Sequence, residues 1–384
     1  MKEISKVLDE KWGKIAELEQ FLYENPEIER QEYKAKEKFL ELLTSERFEI
    51  FSEVKNLPTA FAACKKNGEG PSIAIMAEYD ALPGLGHGCG HNLIGAMSFG
   101  TAAVLGEMLG DVNGIVWLLG SPAEETGWGK PGLIDDGWLK KADVAMMMHP
   151  AKFTGLVSSL VNLEGYDITF HGSPSHAADA PESGVNALDA AVLFYNSISM
   201  LRQQTPDGTR LQMIFTDGGS AVNIIPDKAS IRLEARHSDA KYFRTLIEKV
   251  HKLAHAAAEA TFCTVDIEMF EPPIASMNCN PTLTKLFKNH LIEEGETDFT
   301  ENFFSGGCTD MGNVSWVVPA IHPWVKMVAD NVDGHTREFL KQVHEPYAFE
   351  TMRKYIKCLA GVGLDILKTP ELVKEIKEDF RKSL

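Results

Sequence analysis

Between residues 86 and 91 the chain reads Gly-His-Gly-Cys-Gly-His, which puts a thiol and two imidazoles into one glycine-rich turn. Cys and His are favoured ligands of zinc and similar divalent ions, and glycine lets the backbone come close to a bound group. Three further polar clusters each follow a short apolar run. Asp80 comes after IAIMA (73–77), Glu124-Glu125 after IVWLL (115–119), and His149 after VAMMM (144–148). Neighbouring side chains on an extended chain point opposite ways, so the two glutamates are expected to divide the work, one as a ligand and one as a free base. A Cys, several His, two Glu and an Asp are about what two divalent ions sharing a ligand require. Such ions activate water near neutral pH, and a carboxylate takes and returns its proton. Taken singly, each cluster has a plainer reading. Cys-X-His in a loop is more often structural, His149 alone fits a helix cap or a core histidine, and Glu124-Glu125 alone fits a surface pair.

What links the clusters is the sheet inferred beneath them. Runs apolar at every position suit central strands covered by helices on both faces. Between the first two runs lies a long helix of small residues, about 93–109, so strand, helix and strand follow one another as in an α/β layered domain. Ligand sites in such sheets collect beyond the C-terminal ends of the strands, where all these clusters sit. Ahead of the sheet, Leu8, Trp12, Ile15, Leu18 and Leu22 recur every three or four residues and predict a helix that Asn25-Pro26 interrupts. A second amphipathic helix is expected over about 29–43. From about residue 160 the pattern turns to alternating strands, and the order β-α-β-β-α-β predicts an open-faced sandwich closed by Pro272-Pro273. After it come a helix over 281–293, strands in SWVVPAIHP and WVKMVAD, and a solvated helix after Pro370. The expected fold class is α/β: a catalytic domain with a mixed sheet between helices, carrying an inserted α+β sandwich. The expected domains are 1–160 and 274–384 for the catalytic part and 161–273 for the insert, with a hinge between them.

Composition narrows the function. The 384 residues carry 38 Lys+Arg against 55 Asp+Glu, a net charge of −17, which argues against nucleic acid or an anionic membrane as the main partner. No apolar stretch is long enough for a membrane span, and the charged first residues do not resemble a secretory leader. Six irregularly spaced cysteines do not form a disulfide framework, so a reduced, cytoplasmic protein is expected. The pair His251 and His255 lacks the acid of a zincin helix and reads as a polar face.

Read in order, NPEIERQE, AEYDALPGLGHGCGHNLIG, GSPAEETGWGK, MMHP, GSPSHAADAPESGVNALDA, AVNIIPDKASIRLEAR, GGCTDMGNVS and GHTREF resemble the aminoacylase and carboxypeptidase superfamily of dinuclear metallopeptidases. Within it the chain is most similar to the amidohydrolase branch with a cysteine bridging ligand, and there to the aminobenzoyl-glutamate hydrolase type and its dipeptidase-like relatives. The likeness spans about residues 24–339. It implies two divalent ions per subunit, zinc or manganese first, with cobalt or nickel as alternatives. Cys89 would bridge them, His91 and His149 would complete one ion, and Glu125 with a C-terminal histidine the other. His335 in DGHTREF fits that last position better than His322 in AIHPW. Glu124 would be the general base, and Asp80 would orient a ligating imidazole.

From the inserted domain, the resemblance implies that His176 polarises the scissile carbonyl, often from the partner subunit, while Asn223 holds substrate beside it. Arg236 would meet either the substrate carboxylate or a neighbouring acid, and Gly306 with Gly307 would receive that carboxylate on backbone amides. His171 and Arg232 are assigned structural or surface roles. Two departures, Asn92 where the common motif has aspartate and Thr309 where it has glutamate, point away from hippurate hydrolases. They favour a small carboxylate-bearing amide, an acyl-glutamate-like compound or a dipeptide. The resemblance implies a homodimer paired through sheet edges, with a hetero-subunit assembly as the alternative. Two other functions stand beside the metallohydrolase: a catalytically silent metal- or amino-acid-binding subunit, and a cysteine-dependent amidase with Cys89 as nucleophile.

Overall fold

Apolar residues three and four apart build the first helix. In the computed structural model, which describes residues 1–384, α1 spans Lys2–Glu24 and buries Ile4, Leu8, Ile15, Leu18 and Leu22 along one stripe. Helix α2, Tyr33–Ser45, starts later than the periodicity suggests, because Glu29 and Arg30 both take positive φ and form a turn instead. There follow β1 (Glu49–Phe51), β2 (Phe61–Asn67), β3 (Ser72–Glu78), α3 (His91–Met108), β4 (Gly114–Ser121), α4 (Gly129–Asp135), β5 (Val144–Met146), β6 (His149–Ala151) and β7 (Gly155–Ser159). Next come β8 (Asn162–His171), α5 (Ala187–Leu201), β9 (Arg210–Asp217), β10 (Lys228–His237), α6 (Ala240–Ala260) and β11 (Thr264–Met269). The chain ends with α7 (Pro281–Glu293), β12 (Thr300–Phe304), α8 (Met311–Ser315), β13 (Ala320–Ile321), β14 (Trp324–Lys326), α9 (Arg337–Gln342), α10 (Pro346–Lys368) and α11 (Glu371–Ser383).

Two compact units result. One holds Met1–Ser159, Met277–Ser305 and Thr309–Leu384; the other holds Leu160–Ser276 and Gly306–Cys308. In the first, a six-stranded sheet runs β1-β2-β4-β3-β5-β13, with β3, β4, β5 and β13 parallel and β1 and β2 antiparallel at one edge. All seven residues of β3 are buried, as its unbroken apolar run predicts. Alternate residues feed two cores: Ile73, Ile75 and Ala77 face the layer of α1, α3 and α10, while Ala74 and Met76 face Trp117, Leu133 and Trp138. Helix α3 is buried on almost every side. Its small residues allow this, since a Cβ at Gly100 would stand 2.9 Å from Ile15 and from Ile356. A smaller sheet, β12-β7-β14-β6, sets His149 opposite Trp324.

The region read as SWVVPAIHP and WVKMVAD is only partly strand. Residues 311–315 are helical, and only Ala320–Ile321 and Trp324–Lys326 pair, because Pro319 and Pro323 break the ladder. In the second unit the sheet runs β11-β8-β10-β9, antiparallel throughout. Helices α5 and α6 pack Phe194, Ile198, Leu246 and Val250 onto Ile168, Phe170, Ile231 and Leu233. This is the sandwich that the β-α-β-β-α-β order predicts. The final helix α11 is mostly exposed but buries Ile376, whose carbonyl accepts from Asn280 Nδ2 at 2.9 Å. No helix is long and apolar enough to cross a membrane.

Candidate metal centre

In the first unit, the turns that carry the polar clusters contain left-handed backbone. Gly90 (φ 85°) caps α3, Ala123 (φ 53°) precedes Glu124, and His335 itself has φ 62°. A non-glycine residue held there costs on the order of 1–3 kcal/mol, a strain that collects at functional sites. The parallel strands end in this region: β3 leads to Asp80, β4 to Glu124 and Glu125, and β5 to His149. His335 is tied in by its N–H, which donates to the Gly88 carbonyl at 2.8 Å.

Cys89 lies at the middle of the donors. Its Sγ is 3.5 Å from His149 Nε2 and 3.3 Å from His335 Nε2. His335 Nε2 is in turn 3.6 Å from Glu125 Oε1. Two groups of potential ligands therefore share the thiol: Cys89 with His91 and His149, and Cys89 with Glu125 and His335, the atoms of each within 4.8 Å of one another. The imidazoles are oriented for this task. His91 Nδ1 faces the carbonyl (2.9 Å) and Oδ1 (3.1 Å) of Asp80, and His149 Nδ1 faces the Pro150 carbonyl at 2.8 Å. Each neutral ring then keeps its proton on Nδ1 and its lone pair on Nε2. His91 Nε2 and Glu125 Oε1 are buried without a hydrogen-bond partner. Orphaned imidazole and carboxylate donors around one thiol fit divalent metal ions.

Glu124 Oε2 stands 3.8 Å from His91 Nε2, beside but outside both sulfur-containing groups. Burial, with Glu78 and Asp310 nearby, holds its carboxyl well above the usual range. Burial would also raise Asp80, but the His91 ring and the N–H groups of Glu125 and Glu124 keep it low. In the metal-free chain burial pushes the Cys89 thiol up and lowers His149 to about 4, so bound cations would be needed to make the thiolate.

Of the two histidines weighed for the last ligand, the structure brings His335 to Cys89 and Glu125. His322 is buried with its ring 5.8 Å from that of His149, and neither nitrogen has a partner. Burial holds it well below its ordinary value. His87 is buried outside the ligand groups, lowered by burial to about 3. Sequence reasoning missed Glu78, Lys130 and Asp310. Lys130 Nζ donates to Glu78 Oε1 at 2.5 Å and to Asp310, and all three are wholly buried. A signal existed for Glu78: two residues before Asp80 on an extended chain, it shares that residue's face.

The second unit carries the other candidates. His176 Nδ1 accepts from the N–H groups of Ala178 (3.3 Å) and Asp179 (3.1 Å), which leaves an Nε2–H donor facing outward on an exposed ring. Asn223 is brought beside it: its carbonyl accepts from Ala177 at 3.0 Å, and His176 bridges Ile224. Arg236 meets Glu234 at 2.9 Å and the Gly306 carbonyl at 3.4 Å. A Cβ at Gly306 would touch nothing in the chain, and the Gly307 carbonyl accepts from Val161. His171 pairs with Asp266, Arg232 with Asp167, and the His251 ring packs on Tyr166.

A fold of this kind, with such donors at its strand ends, defines a class of hydrolases, and comparison with known proteins agrees. Residues 159–261 match the family model of the peptidase dimerisation domain. The chain is 34% identical to the Xaa-Arg dipeptidase of Mus musculus, over 98% of this chain and 91% of that protein. It is 29% identical to one of the subunits of the p-aminobenzoyl-glutamate hydrolase of Escherichia coli K12, over 94% of this chain and 90% of that one. Among solved structures, a dinuclear metal-binding peptidase of the M20 family from Bacillus subtilis superposes with a TM-score of 0.70 at 20% identity, covering 95% of this chain and 99% of that chain. The chain belongs to the M20 peptidase family, within the aminoacylase and carboxypeptidase superfamily. It is an enzyme of the amidohydrolase and dipeptidase type.

Proposed function

We propose that this enzyme is a dinuclear metal-dependent amidohydrolase that releases a free amino acid from an N-acyl or N-aroyl amino acid or a small dipeptide. The observation that carries the reading is the place of Cys89 Sγ, at ligand spacing from both His149 and His335. Cys89, His91 and His149 would hold one ion, and Cys89, Glu125 and His335 the other. Bound there, divalent ions would lower the proton affinity of water and polarise the scissile carbonyl. Glu124, free of both sulfur-containing groups, takes the proton from the attacking water and returns it to the leaving nitrogen. Asp80 keeps the His91 proton on Nδ1. His176 offers its Nε2–H to the oxygen on which negative charge develops, a contribution of about 3 kcal/mol where such a donor is well placed. Asn223 and Arg236 orient the substrate, and the amides at Gly306 and Gly307 receive its carboxylate.

The named relatives support a substrate with a free carboxylate, an acyl-glutamate-like compound or a dipeptide. Mixed sulfur, nitrogen and oxygen donors suit zinc, manganese, cobalt or nickel. None of the six cysteines is in a disulfide, which suits the cytoplasm. Dimerisation through the second unit is part of the proposal, and a related second chain is the alternative arrangement.

The test is hydrolysis of aminobenzoyl-glutamate, acyl amino acids and basic dipeptides by metal-stripped protein, with and without manganese or zinc. Metal should restore release of one amino acid. Glu124→Gln should bind both ions yet lose roughly 10²–10⁴-fold in turnover. Full activity in chelator, or in Glu124→Gln, would sink the reading.

A further inference from the structure

A buried charge cluster next to the donors has no task in the reaction just described. Glu78, Lys130 and Asp310 are wholly buried, with Lys130 Nζ donating to Glu78 Oε1 at 2.5 Å and its backbone N–H to Asp310 Oδ2 at 2.9 Å. Two carboxyl groups share one ammonium, which leaves one oxygen of Glu78 over. The spare oxygen, Glu78 Oε2, has no hydrogen-bond partner and faces His91 Nε2 at 3.5 Å, itself without one. A cation shared by the two atoms would satisfy both at that distance. Glu78, His91 and Glu124 also offer atoms within 4.8 Å of one another. Two donors each about 2.1 Å from one ion, and spaced as Glu78 and His91 are, subtend about 113°, close to a tetrahedral angle.

We propose that Glu78 is a further donor of the metal centre, binding through Oε2 the ion that His91 holds, and that Lys130 and Asp310 are positioning residues that fix its orientation. The proposal rests on the two-ion reading above and deepens it. Glu78 would then add a carboxylate to the ion held through His91, on the side where Glu124 also offers an oxygen. Cys89, Glu125 and His335 would hold the other ion with three protein donors, leaving a position for water or substrate.

The experiment titrates metal-stripped wild type and Glu78→Gln with Co²⁺ and Zn²⁺, reading stoichiometry, affinity by chelator competition, and the visible ligand-field absorption of bound cobalt. Wild type should bind two ions. Glu78→Gln should hold one of them about tenfold or more weakly, with a changed absorption for that ion alone. Two ions at wild-type affinity with an unchanged spectrum would overturn the proposal. Weaker binding with an unchanged spectrum would also overturn it, since Glu78 would then support a ligand without being one. Should circular dichroism show that metal-stripped Glu78→Gln is unfolded, Glu78→Asp gives the same readouts while keeping a carboxylate for Lys130. Fewer than two ions on wild type would instead count against the two-ion reading itself.

Discussion

His335 and His322 contrast two ways in which a histidine can be placed. His335 is 55% exposed on its side chain, holds a left-handed backbone, and reaches Cys89 and Glu125. His322 is buried with both nitrogens unpartnered, against the His149 ring. His335→Ala should therefore lower the bound metal from two ions toward one, whereas His322→Ala should keep both and mainly loosen the packing around His149. Metal analysis of dialysed protein decides, and loss of an ion from the His322 variant alone would reverse the assignment. Much of this site could be read from residue types. Singly, a thiol and imidazole two apart in a glycine turn and a glutamate pair after a strand have plainer readings. Together, at strand ends of one inferred sheet, they point to chemistry. Lys130 and Asp310 could not be read that way, and Glu78 only through the face it shares with Asp80. Their contacts join residues 52 and 180 positions apart, a separation over which spacing carries no signal. A lysine that ends up wholly buried is also written in sequence like any surface lysine.

The turn from β4 into α4 is the element on which Glu124 and Glu125 depend. It holds Ala123 in the left-handed region, and the Trp128 N–H closes it onto the Ala123 carbonyl at 3.1 Å. Gly129 is packed tightly beneath: a Cβ there would lie 2.0 Å from the Pro122 carbonyl oxygen and 2.5 Å from Ser121 Oγ. Backbone cannot yield as a flexible side chain can, so Gly129→Ala should move the turn itself. The expected outcome is a stability loss of about 1–3 kcal/mol together with a fall in turnover, read from urea unfolding and initial rates. Unchanged activity would mean that the turn does not set the two carboxylates. Elements with a strong period were legible: β3, α3 and α7 follow from an all-apolar run, a small-residue helix and a Pro-started amphipathic stretch. Strands β1, β2, β7 and β12 lack such marks. They form because the sheets supply partners, as when β2 pairs with β4 from Phe61 to Asn67. The late start of α2, against the helix expected over 29–43, was likewise set by the backbone, in the two positive φ values that periodicity does not express.

At the scale of the whole molecule, stability and assembly each rest on identifiable contacts. His290 on α7 bridges to Asp365 on α10 at 2.8 Å and to Glu293 on its own helix at 3.2 Å. Burial would lower its pKa, but the two carboxylates outweigh burial and raise it. A folded value above the unfolded one, about 6.5, means that the contribution to stability is complete below that pH. It fades as pH rises through the higher folded value. His290→Gln should thus lose most stability relative to wild type near pH 5–6, and the gap should narrow toward alkaline pH in urea titrations; a gap that widens would refute the assignment. The proposed dimer would turn on β9, an edge strand paired on one side with β10. Its Ile214 and Phe215 are 62% and 43% exposed, and Phe215 stacks on Tyr195 of α5 at 5.5 Å, joining strand and helix into one apolar surface. An open edge bearing large apolar groups on a chain of net charge −17 suits pairing with a second copy, edge to edge about a twofold axis. Light scattering should give twice the 42.4 kDa chain mass, and Ile214→Arg should halve it. If His176 serves the partner's centre, turnover should fall with dissociation while both ions stay bound, since every proposed ligand lies in the first unit. A wild-type monomer with full activity would end the homodimer reading, and an inactive monomer would direct the search to a second chain.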